Sequence, residues 1–141
     1  MVIREGKIIS NVGIGPFLLG MSSKELENII SDYTTENRVN NVRVYHVENA
    51  QFFFDENDAL QQVGVSLGFE SKYLDVIGIG DTLKELTKLG YEYYEEFDDY
   101  LIRGVDGICF ELGDTDSDYD WNEKEAPIEW IFVYDKEADE N

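Results

Sequence analysis

The sequence predicts an α+β fold of two tandem repeats, each a helix followed by three antiparallel strands, forming one sheet with both helices on one face. Two observations predict it. A helix start with capping residues occurs twice, and three strand-like runs follow each start. The copies are offset by about 65 residues, the first over about 12–68 and the second over about 77–135, within a single domain 1–141.

The first helix is predicted in the segment GMSSKELENIISDY, residues 20–33. Ser22 and Glu25 have the spacing of a capping box, in which each side chain accepts a hydrogen bond from the backbone of the other residue. The helix should therefore begin at Ser23. Its apolar residues then recur at helical spacing and should form one packed stripe, namely Leu26, Ile29, Ile30 and Tyr33.

Three strand-like runs follow this helix, at 42–47, 50–54 and 60–67. The short polar segments between them favour an antiparallel meander. In the last run Val63, Val65 and Leu67 alternate with polar or small residues. One face of this strand should therefore be buried and the other solvated.

The second copy begins in IGIGDTLKELTKLG, residues 77–90. Thr82 and Glu85 repeat the capping-box spacing, and Gly90 is a suitable helix stop. The apolar stripe of this helix should consist of Leu83, Leu86 and Leu89. Three strand-like runs follow at 91–97, at 100–112 with a break at Gly104 or Gly107, and at 128–134.

Composition and charge limit the classes of function. No apolar run approaches the roughly 20 residues of a membrane helix, and the first residues do not resemble a signal peptide, so we expect a soluble, cytoplasmic protein. The formal net charge is -20, of which residues 1–90 contribute -5 and residues 91–141 contribute -15. Such a charge repels nucleic acid and anionic membranes, so neither is an expected partner.

The sequence gives little reason to expect an enzyme. The chain has one histidine, His46, and one cysteine, Cys109, and both lie in strand-like runs where a packing role is the simpler interpretation. The glycine-rich segments GIGPFLLG and GIGD complete no phosphate-binding motif. We therefore predict no catalytic residues, no cofactor and no Cys/His metal site.

The segment GDTDSDYDWNEKEAP, residues 113–127, allows three interpretations. It is typical of a solvated hairpin loop. It also has acids at the calcium-loop positions 1, 3, 5, 7 and 12, with Asn122 at position 9, although Tyr119 stands where an EF-hand needs glycine and strand-like runs flank it. The candidate calcium ligands are Asp114, Asp116, Asp118, Asp120 and Glu125.

The third interpretation is a partner-binding surface. Tyr119 and Trp121 are large aromatic residues among carboxylates, a combination that suits a basic protein partner, since aromatics supply affinity and complementary charge speeds association. The segment YEYYEEFDDY, residues 91–100, has the same composition, although some of its tyrosines should face the core. The predicted binding residues are Tyr93, Tyr94, Asp98, Asp99, Asp114, Asp116, Asp118, Tyr119, Asp120, Trp121, Glu123 and Glu125.

The segment GIGPFLLGMSSKELENII resembles the start of the tandem domains of the beta-lactamase inhibitor protein, which act by gripping an enzyme. Together with LGYEYYEEFDDYLI and GICFEL it is also similar to small acidic bacterial immunity proteins encoded beside LXG-type polymorphic toxins. The resemblance covers about 50 residues. It implies an immunity protein, or antitoxin, that binds and inhibits a cognate toxin, and the acidity of the chain suggests a basic nuclease as that toxin.

Overall fold

The computed structural model describes residues 1–113 and 122–139. The first half contains three short strands, a helix and four longer strands, namely β1 (Ile8–Ile9), β2 (Gly13–Ile14), β3 (Phe17–Leu18), α1 (Ser23–Glu27), β4 (Thr34–Asn37), β5 (Arg43–Val47), β6 (Ala50–Phe54) and β7 (Leu60–Val65). The second half contains α2 (Lys84–Lys88), β8 (Tyr93–Glu96), β9 (Asp99–Ile102), β10 (Ile108–Leu112), β11 (Ile128–Tyr134) and α3 (Lys136–Asp139). The predicted α+β class is confirmed, with a mostly antiparallel sheet and short helices.

Within the part of the chain that the structure describes, the main sheet has eight strands in the order β4-β5-β6-β7-β11-β10-β9-β8. Each half of the chain forms an antiparallel meander, and the two meanders join where β7 pairs with β11, with Val63 opposite Val133. A separate three-stranded sheet, β1-β2-β3, lies near the N-terminus. The main sheet thus has more strands than the six that the sequence predicts.

The capping box at the start of α1 is confirmed. The Ser22 hydroxyl accepts a hydrogen bond from the Glu25 backbone at 3.2 Å, and the Glu25 carboxylate accepts one from the Ser22 backbone at 3.1 Å. The helix begins at Ser23 but ends at Glu27, and the predicted stripe is confirmed at Leu26 and Ile30 and wrong at Ile29 and Tyr33. Leu26 and Ile30 are buried, whereas Ile29 and Tyr33 are exposed.

The polar segment after α1 forms a strand that the sequence does not predict. Thr34–Asn37 is β4, an edge strand whose residues are all exposed, paired with β5 through contacts such as Thr35 with Tyr45. Backbone pairing and the contact between the Glu36 carboxylate and His46 of β5 place this strand in the sheet. Since it buries no side chains, it leaves no hydrophobic alternation in the sequence.

The predicted cap of the second helix is wrong. Helix α2 begins at Lys84 after Leu83, with no side chain bonded to its first turn, although the stop at Gly90 is confirmed by its φ of +88°. Two leucines that the sequence predicts to be buried are exposed. Leu89 is exposed, and Leu67 lies 82% exposed in a turn after β7 ends at Val65.

The run at 100–112 divides into two strands, β9 and β10. The break falls between Ile102 and Ile108, where Gly104 and Gly107 adopt φ of +82° and +79°. Glycine adopts these angles without steric cost, so the prediction of a break at these positions is confirmed.

The core lies on one face of the main sheet, which we call the inner face. Phe52, Val63, Val133 and Ile108 lie opposite one another on neighbouring strands and are fully buried. Residues at alternate positions point to the opposite side, which we call the outer face. The helices among the described residues have four or five residues each, and none is long and apolar enough to cross a membrane.

Candidate partner-binding surface

An aromatic stripe follows the outer face of the central strand β11. Trp130, Phe132 and Tyr134 occupy alternate positions, while Ile131 and Val133 between them enter the core. A strand with one solvated face usually carries polar residues on that face. Here both alternating sets of residues are apolar or aromatic, so the outer face resembles a contact surface.

Gly64 allows the stripe to pack closely on the sheet. It lies opposite Phe132, and a Cβ atom at Gly64 would be 2.3 Å from Cε1 of the Phe132 ring. The ring therefore lies over the glycine backbone and is only 8% exposed. Trp130 stacks on Phe132 with ring centroids 5.5 Å apart and an interplanar angle of 10°.

Two carboxylates flank the stripe on the outer face. Glu111 lies opposite Trp130 on β10, and Asp99 lies on the next strand, β9. Burial raises the pKa of Asp99, and the neighbouring charge of Asp98 adds to this; burial likewise raises the pKa of Glu111, with Asp99 and Glu129 contributing. No ion pair within residues 1–113 and 122–139 includes Asp99 or Glu111, so their charges lack cationic partners there.

A shallow cavity of about 160 Å³ opens beside the stripe. Its lining combines carboxylates with apolar and aromatic groups, namely Gln62, Glu96, Phe97, Asp99, Leu101, Cys109 and Tyr134. Such a lining can receive the apolar stem of a lysine or arginine while its carboxylates bind the charged end.

The β8–β9 hairpin places a hydrophobic residue at the edge of this cavity. Glu96 pairs with Asp99, so the loop contains only Phe97 and Asp98. The Phe97 side chain is 93% exposed. The outer face therefore ends in an aromatic residue between carboxylates.

The structure separates the predicted binding residues that it describes. Tyr94 points to the outer face, where the guanidinium of Arg103 lies 5.6 Å from the centre of its ring, and Asp98 and Asp99 lie nearby. Tyr93 points to the inner side, where its ring contacts Tyr100 at 6.1 Å. Tyr93 is therefore a packing residue, as expected for some tyrosines of this run.

Two predicted residues that follow the acidic segment, Glu123 and Glu125, lie near the helix side of the sheet. Burial raises the pKa of the inward-pointing Tyr93, and the nearby charge of Glu123 adds to this. The Glu125 carboxylate lies 3.9 Å from the Lys84 ammonium of α2. Glu123 and Glu125 thus do not share the outer face with Asp99.

The remaining predicted residues, Asp114, Asp116, Asp118, Tyr119, Asp120 and Trp121, lie outside the described residues. Their assignments to a partner surface or a calcium loop therefore stay predictions. Within the described part of the chain, no group of three or more His, Cys, Asp or Glu side chains is arranged to hold a metal ion.

His46 and Cys109 do not form a catalytic pair. His46 lies on β5, where its Nε2 is 2.6 Å from a Glu36 oxygen, and Cys109 is buried on β10. Four strand spacings separate β5 from β10 in the sheet, about 19 Å in all. The thiol is therefore out of reach of the imidazole.

The aromatic stripe is not predicted from the sequence, where the run 128–134 is recognised only as a strand and Trp130, Phe132 and Tyr134 have no predicted role. The available signal was that both alternating sets in WIFVY, residues 130–134, are hydrophobic, which indicates a strand with two contact faces.

Comparison with known proteins identifies the fold and no family. No protein-family model and no curated protein matches the chain. Among solved structures, the chain is similar to the uncharacterized protein yfeY from Escherichia coli, with a TM-score of 0.54 and 11% sequence identity, over 95% of this chain and 99% of that one. This likeness concerns the arrangement of the backbone alone.

Proposed function

We propose that this protein is an immunity protein, or antitoxin, that binds a basic toxin enzyme and inhibits it through the outer face of its second half. The observation that carries the proposal is the aromatic stripe of Trp130, Phe132 and Tyr134 beside two carboxylates, Asp99 and Glu111, that lack cationic partners among the described residues. The two parts of this surface have different roles in binding.

The aromatic residues supply affinity. Tyrosine and tryptophan are enriched among the residues that dominate interface energies, because they bury a large area at a small cost in side-chain entropy. Trp130 stacks on Phe132, which lies over Gly64, so the stripe is ordered before a partner arrives. A preordered surface loses less conformational freedom on binding.

The carboxylates supply attraction and selectivity. Burial raises the pKa values of Asp99 and Glu111, and repulsion by their acidic neighbours adds to this. A lysine or arginine from a partner would relieve this repulsion. The net charge of -15 over residues 91–141 extends the attraction beyond the contact surface and should increase the association rate.

A nuclease is the class of toxin that best fits this charge. Enzymes that cleave nucleic acids hold phosphates in cationic clefts, and a carboxylate-rich surface with aromatic groups matches such a cleft in charge. We propose inhibition by occupation of the cleft, without chemistry on the part of this protein.

We also infer that the fold contains two copies of one helix-and-strand unit, over about 12–68 and about 77–135, with both helices on one face. The sheet order supports this inference, since the meanders β5-β6-β7 and β9-β10-β11 meet in reversed order at the β7–β11 pair. Leu26 of α1 and Leu86 of α2 also belong to the same core cluster. The proposed binding surface then lies on the outer face of the second copy.

The test uses the protein encoded by the neighbouring gene, in a catalytically inactive form. Stopped-flow and calorimetric binding are measured for the wild type, for Trp130→Ala and for the double variant Asp99→Asn with Glu111→Gln. We expect Trp130→Ala to weaken binding by about 2–4 kcal/mol, mainly through faster dissociation. The double variant should slow association and reduce its salt dependence.

Phe53→Ala is the matched control, because Phe53 is a partly buried aromatic residue on the outer face of the first half. It should leave the affinity within about 0.5 kcal/mol of the wild type. Each melting temperature is measured to exclude unfolding. Equal losses for Trp130→Ala and Phe53→Ala would contradict the assignment of the surface, and no binding by the wild type would contradict the function.

A further inference from the structure

The hairpin between β8 and β9 has an unfavourable sequence for its backbone. Glu96 pairs with Asp99, and the two residues between them, Phe97 and Asp98, have φ of +51° and +69°. Two consecutive positive φ angles are typical of a type I′ turn, which normally contains Asn-Gly or Asp-Gly. A phenylalanine at the first position is strained, because its Cβ crowds the backbone in the left-handed region.

The fold gains little in return for this strain. The Phe97 side chain is 93% exposed, so its ring buries almost no area within the protein. An asparagine at this position would relieve the backbone and remove an exposed aromatic group. Strain of this kind, kept at an exposed aromatic residue, is typical of sites that bind a partner.

The surroundings of the ring indicate what it would contact. Glu96, Asp98 and Asp99 lie directly beside Phe97 in the turn, and none of them forms an ion pair with the described residues. A pocket that receives the ring would meet these carboxylates at its rim. A rim of lysine or arginine would be attracted, and an acidic rim would be repelled.

We propose that Phe97 is the anchor residue of the interface and inserts into an apolar pocket, bordered by lysine or arginine, on the partner protein. The proposal rests on the proposed function for the basic character of that partner. Contact of Phe97 with the partner would explain why a strained turn contains an exposed aromatic residue.

The strain is tested without a partner, by thermal unfolding of Phe97→Asn. Asparagine tolerates the left-handed region, and removal of the exposed ring loses almost no packing. We expect the melting temperature to rise by about 2–4 °C. A melting temperature equal to or below that of the wild type would overturn the claim that the turn is strained.

The anchor role is tested by binding to the inactive form of the protein encoded by the neighbouring gene. Phe97→Asn should weaken the complex by at least about 30-fold, the range of an interface hot spot, although the free protein becomes more stable. Phe97→Tyr, which keeps an aromatic ring, should stay within about 5-fold of the wild type. Leu67→Asn is the matched control, since Leu67 is also an apolar turn residue and is 82% exposed; its affinity should not change.

The outcomes separate the two proposals. If the wild type binds and Phe97→Asn binds equally well, the anchor is overturned and the proposed function stands. If Leu67→Asn and Phe97→Asn lose affinity equally, the anchor is likewise overturned, because any exposed apolar group would then serve. If the wild type does not bind, the proposed function fails and the anchor fails with it.

Discussion

The substitution Gly64→Ala tests the geometry of the aromatic stripe. The new Cβ would lie 2.3 Å from Cε1 and 2.4 Å from Cδ1 of Phe132, whereas carbon atoms in contact are about 3.5–4.0 Å apart. The ring must therefore move by at least about 1 Å. Because Trp130 stacks on this ring at 5.5 Å, the movement also disrupts the aromatic pair.

The expected loss of stability follows from three contributions. Overpacking costs about 1–3 kcal/mol, and loss of the Trp130–Phe132 stack costs about 0.5–1.5 kcal/mol. Alanine regains about 0.5–1 kcal/mol, because it loses less backbone entropy than glycine in a strand. The free energy of unfolding should fall by about 0.5–4 kcal/mol in urea titrations.

The matched control is the same substitution in a Phe132→Ala background. Without the ring, Gly64→Ala should be neutral or stabilising, so the two substitutions should couple by at least about 1 kcal/mol. Trp130 fluorescence, recorded in a Trp121→Phe background, reports the stack directly. An equal cost of Gly64→Ala in both backgrounds would refute the position of the Phe132 ring.

Three further substitutions test other parts of the structure by urea unfolding. Asp99→Asn should stabilise the protein near neutral pH, and this gain should shrink as the pH falls. The folded protein holds the pKa of Asp99 above its ordinary value of 3.8, so Asp99 destabilises the fold only at a pH where its carboxylate is charged. A gain in stability that does not change with pH would contradict this. Tyr45→Phe should lower the free energy of unfolding by about 1–3 kcal/mol, because the partly buried hydroxyl accepts a hydrogen bond from Arg43 and donates one to Glu27, each at 2.7 Å. No loss of stability would contradict a role for these two hydrogen bonds in the fold. Asn49→Ala should cost about 2–4 kcal/mol, because its buried amide holds the N-terminal segment through two hydrogen bonds of 2.8 Å; a loss below about 0.5 kcal/mol would contradict this.

Features that depend on neighbouring residues were predictable from the sequence. The capping box of Ser22 and Glu25 formed as expected, because both partners belong to one helical turn. Strands β6 and β11 have the predicted bounds, since hydrophobic residues and turns mark both ends. The break near Gly104 also follows from a local property, the freedom of glycine at positive φ.

Features that depend on distant contacts were not predictable in the same way. Strand β4 forms because β5 offers a free edge, which no pattern in TTEN records. Leu67 is exposed because β7 ends two residues earlier. Which of Tyr93 and Tyr94 points inward depends on the register of β8 with β9, since a shift of one residue would reverse their directions.

The two halves of the outer face differ in their electrostatics, and this difference locates the candidate site. In the first half, hydrogen bonds from Arg38, at 2.9 Å, and then from His46 lower the pKa of Glu36, so its charge is satisfied within the protein. In the second half, burial and neighbouring acids raise the pKa values of Asp99 and Glu111. The same sheet face thus stabilises a carboxylate on one side and destabilises two on the other. Since destabilised charges gain most from an added cation, the second half is where we expect the proposed basic partner to bind.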